Sequence, residues 1–161
     1  MSKKFPPIVN YSNPQLLLLV MLRVAIGWHF MYEGLAKALQ PNWTSMAYLL
    51  DSKGFLSGLF QSIAMNTSAL KVVDFVNIWG LTLVGFMLIA GLWSRYAKVI
   101  AMGFLLLFYL AQPPLMNAQY MFPGEGNYLW VNKNLIELIA LGVLFLFPTG
   151  YIIGVDRFFR R

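Results

Sequence analysis

Three ionisable residues follow one another at steps of four along an apolar stretch of the chain: His29, Glu33 and Lys37. On an α-helix this spacing places all three on one face, with Arg23 about 40° further round. Histidine and carboxylate side chains can pass protons, and arginine and lysine can stabilise anionic oxygens. Because a charge that faces lipid costs free energy, this face is expected to turn inward and line a polar cavity.

Residues of the other apolar stretches are expected to meet this face at a similar depth. Glu137, near the start of the last stretch, is the expected carboxylate partner of Arg23 or Lys37. Nearly all of the polar chemistry is then predicted in one leaflet of a bilayer. The predicted catalytic residues are Arg23, His29, Glu33, Lys37 and Glu137, and the predicted cofactor-binding residues are Trp28, Trp79 and Asn134.

A structural role for these side chains is an open alternative. Arg23 with Glu33 or Glu137 could form a buried ion pair that fixes the register of two helices. Lys37 could extend to lipid head groups, and the tryptophans could form the aromatic belt of a membrane interface. Because the chain has one histidine and no cysteine, no metal site is predicted.

The composition decides which class of protein can hold such a face. Of 161 residues, 59% are hydrophobic and only 11% are charged, which excludes a water-soluble enzyme. The apolar residues form four stretches, each close to the length of about 20 residues that crosses a bilayer. We predict an all-α membrane protein with a single transmembrane domain over residues 1–161. Its four-helix bundle is predicted to use residues 16–37, 72–93, 97–112 and 135–153.

The positions of the basic residues predict the orientation of the bundle. Seven of the 12 Lys and Arg residues lie before the first stretch, between the second and third, or after the fourth. Because basic residues favour the cytoplasmic side, both termini are predicted in the cytoplasm. The net charge of +6 is therefore attributed to cytoplasmic loops, and no nucleic-acid partner is predicted. The first stretch is expected to be retained rather than cleaved as a signal peptide, because charged residues interrupt it.

Two longer connections are predicted on the external side of the membrane. In residues 38–71, apolar side chains between positions 55 and 63 recur at helical spacing, which predicts an amphipathic helix lying in the membrane interface. Residues 113–134 are rich in Pro, Gly, Asn and aromatic residues, and a turn is predicted over residues 123–127. Neither connection has the composition of a linker between domains.

Motifs in three of the stretches resemble those of DoxX-type membrane proteins. The run from Arg23 to Lys37 has an Arg, a Gly and then Gly-x-x-Lys, and it is similar to the first helix of that family. Trp79-Gly80 is similar to the second helix, and residues 132–137 are similar to the start of the fourth. The order and spacing of these short motifs across the chain carry the resemblance.

The resemblance implies a four-helix bundle in the bacterial inner membrane. The family includes the DoxD-like subunit of thiosulfate:quinone oxidoreductase. Within the family pattern, Arg23, Glu33 and Lys37 correspond to the polar residues of the first helix. Asn134 and Glu137 correspond to those of the fourth.

Two functions from different classes follow. The first is a membrane subunit of a quinone-linked oxidoreductase, in which quinone enters between helices and the polar face relays protons or binds a small oxyanion. The sequence has no motif for haem, flavin or an iron–sulfur cluster, so electrons would come from a partner or directly from a substrate. The second is a non-catalytic scaffold whose external loops dock a periplasmic or membrane protein. A small transporter would require a homo-oligomer, because four helices enclose a narrow path.

Overall fold

All of the regular structure is helical in residues 11–115, 118–121 and 129–159, which the computed structural model describes. A π-helical turn, Val76–Gly80, joins two of the helices without a break, and a 3₁₀ turn, Val155–Arg157, follows the last. The helices are α1 (Asn13–Leu39), α2 (Met46–Leu50), α3 (Ser57–Met65), α4 (Thr67–Phe75), α5 (Leu81–Ala90), α6 (Ser94–Ala111) and α7 (Lys133–Leu146). The all-α prediction is confirmed. The turn predicted over residues 123–127 lies outside the described residues.

Three helical stretches are long and apolar enough to cross a membrane: Asn13–Leu39, Thr67–Ala90 and Ser94–Ala111. Much of their surface is exposed, and large apolar side chains such as Leu18 and Leu83 stand on it. Continuous apolar surface of this kind suits contact with lipid tails instead of water. The chain is thus a helical membrane protein.

Helices α1 and α5 pack along each other because glycines allow their backbones to touch. A Cβ atom on Gly85 would lie 2.5 Å from the carbonyl oxygen of Gly27, and one on Gly34 would lie 2.6 Å from the backbone nitrogen of Thr82. Small residues at a helix crossing are the usual means of close packing in membranes. The core at this crossing and between α5, α6 and α7 includes Ile26, Phe30, Leu81, Val84, Leu88, Ala101, Leu105, Leu141 and Leu144.

A tight turn joins α5 to α6. Gly91 ends α5 in the left-handed conformation, with φ of 64°, and Trp93 precedes α6 with φ of 43°. We call this end of the bundle the turn end. The opposite end, where α1 and α6 finish and α4 and α7 begin, is the loop end.

The connection between α1 and α4 is itself helical and fills the space between α4 and α6 at the loop end. Leu49 of α2 and Phe60 of α3 pack against Ala111 of α6 and Val73 of α4. The opposite side of α3 is exposed, as at Leu59 (55%). A helix is therefore present in this part of the connection, and its buried face contacts the two long helices. Its position in the membrane interface stays a prediction.

The last apolar stretch departs from its prediction. The sequence predicts a helix to residue 153, whereas α7 ends at Leu146. Pro148 explains the difference, because proline lacks a backbone N–H and disfavours helical geometry in the residue before it. The chain beyond Pro148 turns back, and Gly154 packs against Gly91.

The bounds of the second and third stretches also shift. The second is helical over Thr67–Ala90 instead of 72–93, because Asn66 caps its start through bonds from the nitrogens of Ser68 and Ala69 (3.1 and 3.0 Å). The third is helical over Ser94–Ala111 and stops before two prolines, as the sequence predicts.

Candidate functional site

A cavity of about 1140 Å³ opens at the loop end of the bundle. Its lining comes from every helix and from residues 118–120. Phe30, Leu81 and Leu105, each at most 2% exposed, form an apolar floor, and Lys37 is one of the polar residues of the mouth. Since Phe30 lies seven residues before Lys37 on α1, the floor is about 10 Å deeper than the mouth.

A histidine–carboxylate pair lies at the depth of the floor. His29 Nδ1 donates to Glu137 Oε1 at 2.9 Å and so joins α1 to α7. The side chain of Glu137 is 9% exposed and that of His29 is 32% exposed, so the histidine carries the pair to the cavity surface. When the imidazole is neutral and Nδ1 bears the proton, Nε2 is an acceptor; when it is protonated, Nε2 becomes a donor.

Among the described residues, the mouth carries the ammonium groups of two lysines and one carboxylate. Lys37 Nζ lies 3.6 Å from Glu33 Oε2 and stands over the rings of Trp43 (5.3 Å) and Phe108 (5.6 Å). Lys133 also lines the cavity, close enough for the two ammonium groups to repel each other. The ammonium group of Lys37 at the mouth can attract anionic or strongly polarised oxygen atoms.

A buried amide at the mouth lacks a partner. Gln112, at the end of α6, lines the cavity, and its Nε2 has no hydrogen-bond partner within the described residues. Buried amide donors are normally satisfied, so an unsatisfied one beside a cavity is suited to a ligand oxygen. Gln112 is not among the site residues that the sequence predicts.

Helices α2 and α3 cover the cavity, and hydrogen bonds hold the cover on two sides. Asp74 of α4 accepts from the backbone nitrogen and hydroxyl of Ser45 at 2.8 and 2.5 Å. On the other side, the Tyr48 hydroxyl donates to the carbonyl of Phe108 at 3.1 Å, and the Ser52 hydroxyl donates to a carbonyl at the end of α6 at 2.6 Å. Burial raises the pKa of Tyr48 far above its ordinary value, so its hydroxyl stays a donor.

The structure brings together five of the eight predicted site residues. Four line the cavity and the fifth, Glu137, binds one of them; the four are His29, Glu33, Lys37 and Asn134. The sequence predicts Trp28 and Trp79 as cofactor-binding residues. They are instead 58% and 48% exposed, face outward and do not line the cavity. The aromatic side chains at the cavity are instead Phe30, Trp43, Tyr48, Phe60, Phe104, Phe108 and Tyr120.

Arg23 lies outside the cavity, and the pairing predicted for it is wrong. Its Nη1 donates to the Thr149 hydroxyl at 3.1 Å and its Nη2 donates to the carbonyl of Ile153 at 2.8 Å. Its Nε has no partner within the described residues. Arg23 and Glu137 cannot meet because Glu137 binds His29, six residues and about 9 Å further along α1.

Arg23 belongs to a buried turn-end cluster with Ser94, Lys98, Thr149 and Asp156. Asp156 accepts from the Ser94 nitrogen and hydroxyl at 2.9 and 2.7 Å, and thereby caps α6 from a position 62 residues away in sequence. Lys98 Nζ donates to a carbonyl of α7 at 2.8 Å. Buried charge is therefore present at both ends, and the prediction of a single polar leaflet is wrong.

Sequence reasoning missed this cluster because its charges resemble ordinary loop charges. Lys98 follows a short turn, and Asp156 lies in a basic C-terminal segment. The signal that could have identified it is that Asp156 is the sole acidic residue after Glu137. Within the described residues, no three His, Asp or Glu side chains gather as a metal site requires.

Comparison with known proteins finds no matching family model, no matching curated protein and no matching solved structure. The fold and cavity define a class: a membrane protein whose described residues form a helical bundle, with a largely apolar cavity that carries a few polar side chains at one end.

Proposed function

We propose that this chain is a DoxX-like membrane subunit of a quinone-linked oxidoreductase, with the cavity as its quinone site. The observation that supports it best is the His29–Glu137 pair, which sets a proton-exchanging group beside an apolar floor inside membrane-crossing helices. Largely apolar pockets with a few directed polar groups are the usual form of small-molecule sites.

In this proposal the bundle crosses the bacterial inner membrane four times, with both termini in the cytoplasm. The fourth crossing consists of α7 and the apolar segment after it, residues 133–153. Arg95, Lys98 and Arg157 lie at the turn end, so the positive-inside tendency favours a cytoplasmic turn end. The cavity mouth then faces the external side.

The residues at the cavity fit a quinone. Phe30 and Phe104 offer apolar ring contacts, and His29 and Asn134 offer donors to carbonyl oxygens. A bound quinone accepts two electrons and two protons. Glu137 accepts the hydrogen bond from His29 Nδ1 and thereby orients the imidazole ring. When Nε2 is also protonated, the Glu137 carboxylate stabilises the positive charge of the imidazolium.

Protons reach the floor along α1 in this proposal. Glu33 lies one turn above His29, and Lys37 lies one turn above Glu33 and is paired with it. This face connects the floor with the water at the mouth. Electrons come from a partner subunit or from a second substrate, whose anionic oxygens would bind Lys37 and Gln112.

The test measures quinone binding to the purified protein in detergent through the rise in its thermal unfolding midpoint. We expect benzoquinone or naphthoquinone to raise the midpoint of the wild type, since ligands that bind the folded state stabilise it. Glu137→Gln should weaken quinone binding about tenfold, because the imidazole loses its charged partner. Asp51→Asn, the same chemical change outside the cavity lining, is the control. If neither quinone class shifts the wild type, the proposal fails.

A scaffold role is the second candidate, and exposed apolar side chains at the loop end favour it. Phe55 (85% exposed) and Met121 (72%) lie outside the three long helices. In cells, Phe55→Ser with Met121→Ser should then abolish crosslinking to a partner while the protein stays folded. Unchanged crosslinking would argue against docking at this surface.

A further inference from the structure

We infer that the cavity takes a ligand with a long apolar tail, and that the tail leaves sideways between α4 and α6, over Val72, Val76 and Leu107. The inference rests on the proposed function and narrows its ligand to a long-chain molecule of the lipid phase, as opposed to a small water-soluble ring. We call the opening at these three residues the side window.

The side window connects the cavity with the surface. Val72, Val76 and Leu107 all line the cavity, and they are 62%, 46% and 53% exposed. A residue that lines a cavity and is also half exposed stands at its rim. Because all three belong to helical stretches apolar and long enough to cross a membrane, this rim opens toward lipid tails.

The side window lies nearer the loop end than the histidine pair. Gly85 packs against the backbone of Gly27 and Met31, so it is level with His29. Val76 precedes Gly85 by nine residues, which is about 14 Å along the helical stretch. A head group at His29 therefore extends its tail about 14 Å along the cavity before the tail leaves through the window.

The gap between α4 and α6 has structural causes above and below. Above it, α3 fills the space between the two helices, where Phe60 belongs to an apolar cluster that Leu70 of α4 and Leu110 of α6 pack against. Below it, the gap closes where Gly80 admits the Phe104 ring, 2.7 Å from where a Cβ would lie. The π-helical turn lies between these points, and such turns are frequent at functional sites.

The size of the cavity exceeds what a small ring requires. Ligand pockets commonly measure about 300–1,000 Å³, and this cavity measures about 1140 Å³. The part beneath the cover is apolar and adds little to the binding of a polar head. An apolar chain fills such space well, because each buried methylene group gains about 0.8 kcal/mol. Its lining there includes Leu49, Phe60, Ile63, Val72, Val73 and Val76.

The experiment compares a quinone without a tail and the same ring with a prenyl tail of several units. Both are titrated against the wild type and Val72→Trp in detergent, with the thermal unfolding midpoint as readout. Position 72 is exposed, so an indole there narrows the window without disturbing the core. Leu83→Trp, on exposed surface of the same helical stretch and away from the cavity, is the matched control.

We expect the wild type and Leu83→Trp to prefer the tailed quinone, and Val72→Trp to lose about tenfold or more of that preference. Binding of the tailless ring should stay unchanged. Partitioning of the tail into micelles cancels, because it is the same for all three proteins. If Val72→Trp keeps the full preference, the window assignment is wrong while the quinone site stands. If neither quinone stabilises the wild type, the proposed function itself fails.

Discussion

The two polar clusters of the bundle differ in how much space surrounds them. At the turn end, Arg23, Lys98 and Asp156 are each at most 5% exposed and donate or accept directly within the protein. At the loop end, the His29–Glu137 pair adjoins a large cavity. Both clusters carry charge in an apolar fold, and the second also borders a cavity with room for a ligand.

The difference shows that intramembrane charge alone does not identify a functional site. Buried charges are retained in a structure when other groups satisfy them. Apart from Arg23 Nε, the charged groups of the turn-end cluster have such partners, and these contacts tie the C-terminal segment to α1 and α6. A reactive site also needs space beside the charge. We therefore expect the turn-end cluster to act on stability, and the proposed function gives the loop-end cluster a role in binding.

The largest effect is expected from Arg23→Leu. Without the guanidinium, the Thr149 hydroxyl and the Ile153 carbonyl lose their donor, and Asp156 loses a nearby positive charge. Removing one member of a buried charged group typically costs about 3–5 kcal/mol. Thermal unfolding in detergent, with the yield of monodisperse protein, measures the loss. Arg157→Leu, at an exposed site of the same end, is the control; equal stability of the two variants would contradict this assignment.

The next effect tests the packing of the turn end. Gly91 has φ of 64°, and a Cβ there would lie 2.8 Å from Gly154 Cα. Gly91→Ala should lower the free energy of unfolding by about 2–4 kcal/mol, from left-handed strain and overpacking together. Gly58→Ala in α3 has no atom within 4 Å of the new Cβ and should be neutral or slightly stabilising. A harmless Gly91→Ala would mean that the turn end is looser than described.

The same chemical change at the two clusters should have different outcomes. Asp156→Asn replaces one carboxylate oxygen by an amide NH₂ group, which cannot accept the hydrogen bonds from Ser94. We expect this change to lower the free energy of unfolding by about 1.5–3 kcal/mol. Glu137→Gln should cost under about 1 kcal/mol, because the amide oxygen can still accept from His29. Chemical or thermal unfolding of both variants measures this. Equal losses would remove the distinction between the clusters.

The smallest effect concerns the cover of the cavity. Ser45→Ala removes the hydroxyl bond to Asp74 and keeps the backbone bond, so a loss of about 1 kcal/mol is expected. Because the cover rests on the cavity, limited proteolysis of residues 40–66 should become faster while the three long helices stay intact. Unchanged proteolysis would show that this bond does not hold the cover.

Local sequence features predicted much of the fold. Apolar runs located the long helices, and Pro113 with Pro114 marked the end of α6, since both signals act over a few residues. The start of α6 was misplaced because its capping group, Asp156, lies far along the chain. The end of α7 was misplaced although Pro148 marked it, because the run of apolar residues continues past that proline.

The candidate site was predicted in composition more than in contacts. The spacing of His29, Glu33 and Lys37 placed them on one face, and all three line the cavity. The spacing says nothing about which partner each meets, because that depends on how α7 is rotated. The sequence thus assigned Glu137 to Arg23 or Lys37, whereas it binds His29.

By itself the sequence determined that the chain forms apolar helices with a polar face on the first, since hydrophobicity and helical period are local properties. The tertiary structure alone decided that Arg23 became a packed structural group while His29 came to border a cavity. The physical reason is that contact between residues more than 100 positions apart depends on the depth and rotation of whole helices. Neither quantity is encoded in any short segment of the chain.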